Sequence, residues 1–155
     1  MAKTRIIKVG SKAPVFKLPG SDGITHSLKD YKGQKVVLFF YPKDLTSGCT
    51  KEACDFTSLQ SIFKKKNAMV FGVSRDSLER HEKFIEKNKL KITLLSDEDG
   101  TVCEAYGAWK EKSMYGRKFM GIERTTVVID EDGKIQAIYP KVKVPGHAKA
   151  VLEAL

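Results

Sequence analysis

Three cysteines, Cys49, Cys54 and Cys103, are the residues best suited to redox chemistry in this chain. The informative stretch is Tyr41-Pro42-Lys43-Asp44-Leu45-Thr46-Ser47-Gly48-Cys49-Thr50-Lys51-Glu52-Ala53-Cys54. It lies where an apolar run, Lys35 to Tyr41, gives way to a helical pattern. Open α/β sheets place their chemistry at the carboxyl ends of strands, so the location favours a reactive group. Cys49 is expected in the first helical turn. There, unpaired backbone N–H groups and the positive end of the helix dipole stabilise an anion. Such a setting lowers a thiol pKa from about 8.5 and supplies more thiolate, the nucleophilic form. A free cysteine is often only a small packed hydrophobe. The polar neighbours, and a Gly48 that lets the backbone approach closely, argue against that reading.

Cys54 follows five residues later. On an ideal helix this offset is ~7.5 Å of rise and ~140° of rotation, so the Cα atoms stand about 8.7 Å apart. A disulfide needs roughly 4.4–6.8 Å. The two cannot bond while the helix is intact, and bonding requires its first turns to unwind. The spacing is not CxxC, so a thioredoxin-type redox motif is absent. It does not fit zinc either: no His is close and Cys103 stands apart. Cys103 reads as structural. His26, His81 and His147 are widely spaced and read as surface or packing residues rather than a triad or metal set. No dinucleotide fingerprint, P-loop, HExxH or EF-hand string occurs, so no cofactor is expected.

Several elements must position Cys49. Phe16 to Leu18, a Gly20–Gly23 turn and Ile24 to Leu28 read as an N-terminal hairpin. Lys35 to Tyr41, Ala68 to Val73 and Ile92 to Leu95 read as buried strands. A helix from Cys49 toward Lys66 carries Ala53, Phe56, Leu59, Ile62 and Phe63 at helical spacing. Asp76 with Glu79, and Thr101 with Glu104, resemble capping boxes that open two further helices. Gly107 to Gly121 reads as irregular. Thr125 to Ile129 and Lys134 to Tyr139 flank Asp130-Glu131-Asp132-Gly133 as a second hairpin, and a helix closes the chain from Gly146 to Leu155. Strands alternating with helices, then a late hairpin, imply a three-layer α/β/α domain with a mixed sheet. One domain is expected over residues 1–155, with no repeat or linker.

Composition excludes several classes. Hydrophobic residues are 41% and charged residues 30%, a balance that folds. The most apolar run is far short of the ~20 residues of a spanning helix. The start, Met1 to Lys8, is basic, with no apolar signal core after it, so a cytoplasmic, reducing location is expected. A net charge of +9 reads as solubility, because the lysines are scattered and only Lys64-Lys65-Lys66 forms a triple. No helix-turn-helix, zinc-finger or RNP signature accompanies them, so a nucleic-acid-binding module is disfavoured. A redox-switched thiol oxidoreductase or chaperone is one reading of the cysteines.

At Pro42, Thr46 and Cys49 the chain resembles the peroxiredoxins, whose signature is Pro, three residues, Thr or Ser, two residues, then Cys. The longer string FFYPKDLTSGCTKEACDF is similar to the bacterioferritin comigratory protein (peroxiredoxin Q) subfamily. The likeness extends from Gly10–Phe16 through Tyr106–Lys112 and Met114–Gly116 to Gly121–Thr126. One departure is Ser47, where many members have Pro. A serine there is suited to an N-cap role.

The resemblance implies a thioredoxin-like fold with an N-terminal extension, and a thiol-dependent peroxidase acting on hydrogen peroxide and organic hydroperoxides. It assigns Cys49 as the peroxidatic cysteine, oxidised to a sulfenic acid. Thr46 and the Cys49 N–H would bond the thiolate or the peroxide, and Arg124 would stabilise thiolate and leaving oxygen. Pro42 would shield the sulfenate. Gly48 is a supporting residue, and Glu52, three residues after Cys49, is expected to orient Arg124 and be neutralised by it. Cys54 resembles the resolving cysteine of members that form an intramolecular disulfide, recycled by a thioredoxin-like protein. An intramolecular bond needs no second subunit, so a monomer is expected.

Overall fold

The computed structural model describes residues 7–155; the basic start, residues 1–6, lies outside them. A five-stranded mixed sheet forms the middle layer. Its strands are β3 (Lys35–Phe40), β4 (Ala68–Ser74), β5 (Thr93–Ser96), β8 (Thr125–Ile129) and β9 (Ile135–Tyr139), in the order β5-β4-β3-β8-β9. The first three run parallel; β8 is antiparallel to β3, and β9 to β8. Before them lies a small antiparallel hairpin of β1 (Lys17–Pro19) and β2 (Thr25–Ser27).

The central strand sorts the core by alternation. Val36, Leu38 and Phe40 face one layer, with Phe16, Leu18, Val102, Cys103 and Tyr106. Val37, Phe39 and Tyr41 face the other, with Phe56, Phe63, Phe84 and Val151. That second layer holds helices α1 (Ser47–Lys65), α2 (Leu78–Asn88) and α4 (His147–Glu153), while α3 (Thr101–Ala105) covers the first face. Side chains of a strand alternate between its two faces, so one buried run, Val36 to Tyr41, feeds two cores. Gly72 of β4 is required by this packing: a Cβ there would meet Phe39 and Leu94 at 2.7 Å.

Local details differ from the sequence expectations in four places. Helix α1 begins at Ser47, so Ser47 is its first residue and Thr46 the N-cap, without a side-chain capping bond. Helix α2 is capped by Ser77, whose hydroxyl accepts from the Arg80 N–H, and not by Asp76 with Glu79. At α3 the N-cap is Gly100. The carboxylate of Asp97 takes the N–H groups of Val102 and Cys103, and Asp99 takes that of Thr101. Residues 107–121 are not irregular: β6 (Trp109–Met114) and β7 (Arg117–Ile122) pair as an antiparallel hairpin. Among the described residues no helix is long and apolar enough to cross a membrane.

Candidate active site

The topology brings two distant segments together. Cys49 sits in the first turn of α1, just past the carboxyl end of β3. Arg124 immediately precedes β8, and the register pairs Thr125 with Phe40 at that same end. An arginine entering β8 therefore arrives beside the loop leaving β3. Its Nη2 donates to the Cys49 sulfur at 3.3 Å, and its Nη1 to Glu52 Oε1 at 2.7 Å. The guanidinium also lies against Gly48, where a Cβ would stand 3.3 Å from Nη2. A side chain at that position would press on the guanidinium, which gives Gly48 a physical role.

Burial sets the electrostatics. Cys49 and Glu52 are each 1% exposed. Burial pushes the Glu52 carboxyl up to about 7, against the downward pull of Arg124. Only one carboxylate oxygen meets the guanidinium; Oε2 has no partner among the described residues. Burial works against the charge of Arg124, but Cys49 and Glu52 together outweigh it and hold the guanidinium above its ordinary value. On β6, Lys112 is pulled down by burial and by Arg124, while Glu123 and Cys49 oppose the shift.

Of the residues named from sequence, Cys49, Glu52, Arg124 and Gly48 converge. Pro42 and Thr46 are exposed on the loop before α1. The Thr46 hydroxyl donates to the Lys43 carbonyl at 2.8 Å rather than to the thiol. Cys54 is half-buried further along the same unbroken helix, and all three cysteines are free. Cys103 is buried, and burial together with Asp97 pushes its thiol far above the ordinary range, which leaves it without thiolate character.

The histidines are all buried, so the surface reading fails for them and the packing reading stands. His26 lies between Asp22 and Tyr31. His147 meets Thr126 Oγ1 at 2.7 Å and is pushed down to about 4 by burial and by Arg124. His81 contacts Asp44, a pair that the sequence reading did not connect. A signal was present: His81 lies three residues before Phe84, on the buried stripe of α2.

A sheet of this order, carrying a thiol at the head of α1 against an arginine, defines the class of thioredoxin-like thiol enzymes. The AhpC/TSA family matches residues 9–138. A protein of Coxiella burnetii called "Putative peroxiredoxin bcp" is 53% identical over 96% of this chain and 99% of its own length. "Peroxiredoxin Bcp" of Escherichia coli is 44% identical over 96% of each. Among solved structures, the Xanthomonas campestris bacterioferritin comigratory protein superposes with a TM-score of 0.89 at 40% identity, covering 95% of this chain and 96% of that one. The Xylella fastidiosa PrxQ C47S mutant gives 0.91 at 38%, covering 96% and 95%. The chain belongs to the AhpC/TSA family and, within it, to the Bcp/PrxQ peroxiredoxins, which are thiol peroxidases with a thioredoxin-like fold.

Proposed function

We propose that the chain reduces hydrogen peroxide and organic hydroperoxides with Cys49 as the nucleophile and Cys54 as the resolving thiol. The observation that supports this reading is the bridge of Arg124 between the Cys49 sulfur and Glu52. A fixed cationic donor on a sulfur favours its anionic form and remains available to charge that develops on the leaving oxygen. The thiolate attacks one peroxide oxygen and the O–O bond breaks. The peroxide proton passes to the departing oxygen, which leaves as water or an alcohol, and Cys49 becomes a sulfenate. Protonated to the sulfenic acid, it is attacked by Cys54; the S–O bond breaks, water leaves and a disulfide remains. Two electrons from a thioredoxin-like protein restore both thiols.

The Thr46 proton is committed to Lys43, so in this reading its oxygen accepts the peroxide O–H while the Cys49 N–H donates. Pro42 shields the sulfenate from water. The chain acts as a monomer in the cytoplasm, and residues 1–155 form one catalytic unit.

Mixing the thiol form with one equivalent of hydrogen peroxide tests this. Peroxide loss and thiol count are followed beside Cys49→Ser and Cys54→Ser, with peptide mapping of the product. Fast loss that Cys49→Ser abolishes, ending in a Cys49–Cys54 bond, is the expected result. Peroxide loss no faster than that of a free thiol would sink the reading.

A further inference from the structure

Asp44 is 1% exposed in a loop whose neighbours Pro42, Lys43, Leu45 and Thr46 are all exposed. A carboxyl group buried in this way must be fully bonded to persist. Its Oδ1 accepts from the Tyr41 hydroxyl, and its Oδ2 lies 2.6 Å from Nδ1 of His81, which is 0% exposed. The other ring nitrogen of His81 is 2.9 Å from the Leu95 carbonyl. A carbonyl only accepts, so Nε2 carries a proton. Nδ1 and Oδ2 share a hydrogen bond, so every side-chain polar atom of the pair has a partner.

The backbone of Asp44 is held as well. Its N–H donates to Asp76 Oδ2 at 2.8 Å, and its carbonyl accepts from Arg80 Nη2 at 3.3 Å. The Ser74 hydroxyl donates to that same Asp76 oxygen. Asp44 is thus tied to the carboxyl ends of β4 and β5 and to the start of α2. The next residues have only local bonds: Thr46 bonds Lys43 and Thr50. Between them, Leu45 has φ 65°, a left-handed backbone that a non-glycine side chain adopts only when its surroundings impose it.

We infer that the buried Asp44–His81 pair is the anchor of the active-site loop, the fixed point from which the first turns of α1 unwind and to which they return. The inference rests on the two-cysteine reading above. Closing the Cys49–Cys54 bond breaks the Thr50 N–H bond to the Thr46 carbonyl and parts Cys49 from Arg124, but it requires no bond of Asp44 to break. Leu45 is then the hinge. Asp44 and His81 are positioning residues: they touch no reacting atom, but they set where Thr46, Gly48 and Cys49 stand when the helix is wound.

The first test uses the unaltered protein. Amide hydrogen exchange is compared before and after one equivalent of hydrogen peroxide, with the Cys49–Cys54 bond verified by peptide mass. Protection at Thr50 should fall at least tenfold on oxidation, while protection at Asp44 stays within about twofold. A comparable loss at Asp44 overturns the anchor. If the mass shows no disulfide, the two-cysteine reading fails before exchange is measured, and the anchor fails with it.

The second test separates positioning from packing. In Asp44→Asn the amide donates to a neutral His81 and its oxygen still accepts from Tyr41, whereas Asp44→Ala removes both bonds. Asp44→Ala should slow the second-order peroxide step at least tenfold while the first-order disulfide step holds or speeds up, and Asp44→Asn should restore both. Should Asp44→Ala fail to fold, Tyr41→Phe, which removes one donor and keeps the ring, should shift the same ratio two- to fivefold. Both rates scaling together, or Asp44→Asn as impaired as Asp44→Ala, overturns the proposal.

Discussion

At the residue scale, Arg124 bonds two groups with one planar guanidinium, one nitrogen for the sulfur and another for Glu52. A lysine has a single ammonium and cannot span both. Arg124→Lys should therefore lower the peroxide rate constant by about 10²-fold or more, the scale seen when one aligned donor is removed from a reacting centre. A stopped-flow trace with excess peroxide checks this. Glu52 carries a pH signature of its own. Its carboxyl is pushed from 4.5 to about 7 in the folded chain, so between these values the native state holds a proton that the unfolded state has lost. Stability from this group is therefore present at low pH and is lost as pH rises toward 7. Relative to Glu52→Gln, the wild type should lose roughly 3 kcal/mol across that window, read from urea midpoints at several pH values. Cys49, Glu52 and Arg124 were legible from the family pattern, because each lies in a local string that carries it. Asp44 and His81 were not: they are 37 positions apart, and only the fold makes them neighbours.

At the element scale, legibility followed the strength of local signals. The long periodic helix and the apolar strands were readable. The caps were misassigned because several carboxylates and hydroxyls compete at each helix start, and tertiary packing decides among them. Asp76 is drawn to Asp44 and Arg80, so Ser77 is left to cap α2. The β6–β7 hairpin escaped because its strands are mostly exposed and show no apolar alternation. Its two-residue turn, Tyr115-Gly116, has φ 53° and 76°, the positive pair of a type I′ turn, but Tyr is not among the residues that announce one. The head of α1 yields a prediction. Ser47 is the first helical residue, where proline is favoured because its missing N–H would be unpaired in any case. Thr46 already has φ −89° and ψ 155°, the extended backbone that a following proline demands. Ser47→Pro should thus add about 0.4–1 kcal/mol to the thiol form. It should also slow disulfide closure several-fold, because the turn that must unwind is stiffer, and a quenched-flow time course of the Cys49–Cys54 bond measures it.

At the scale of the whole molecule, the helix that carries the chemistry is also a wall of the core. Phe56 and Phe63 of α1 pack with Phe39 and Val151 in one buried cluster, to which Cys49 and Ala53 also belong. The continuous apolar run of β3 announced burial in the sequence, but not which residues faced which layer, since both faces of that strand are covered. This shared use makes oxidation a global event. In the two-cysteine reading proposed above, forming the Cys49–Cys54 bond would draw Cys49, Glu52 and Ala53 from their buried positions and part Glu52 from Arg124. Losing the hydrogen bonds of the charged Arg124 to Cys49 and Glu52 costs about 1.5–3 kcal/mol each, and the lost apolar burial adds about 1–2 kcal/mol. The new disulfide closes a loop of only about six residues, which restrains the unfolded chain by roughly 2 kcal/mol. The balance favours the thiol form. Each kcal/mol moves the midpoint of a domain of this size by about 2–4 °C, so the reduced protein should melt several degrees above the disulfide form. Calorimetry of the two forms, each with its thiol count verified, decides it. A disulfide form that melts at the same temperature or higher would mean that the bond closes without dismantling the head of α1, and that the cost assigned here to unwinding is wrong.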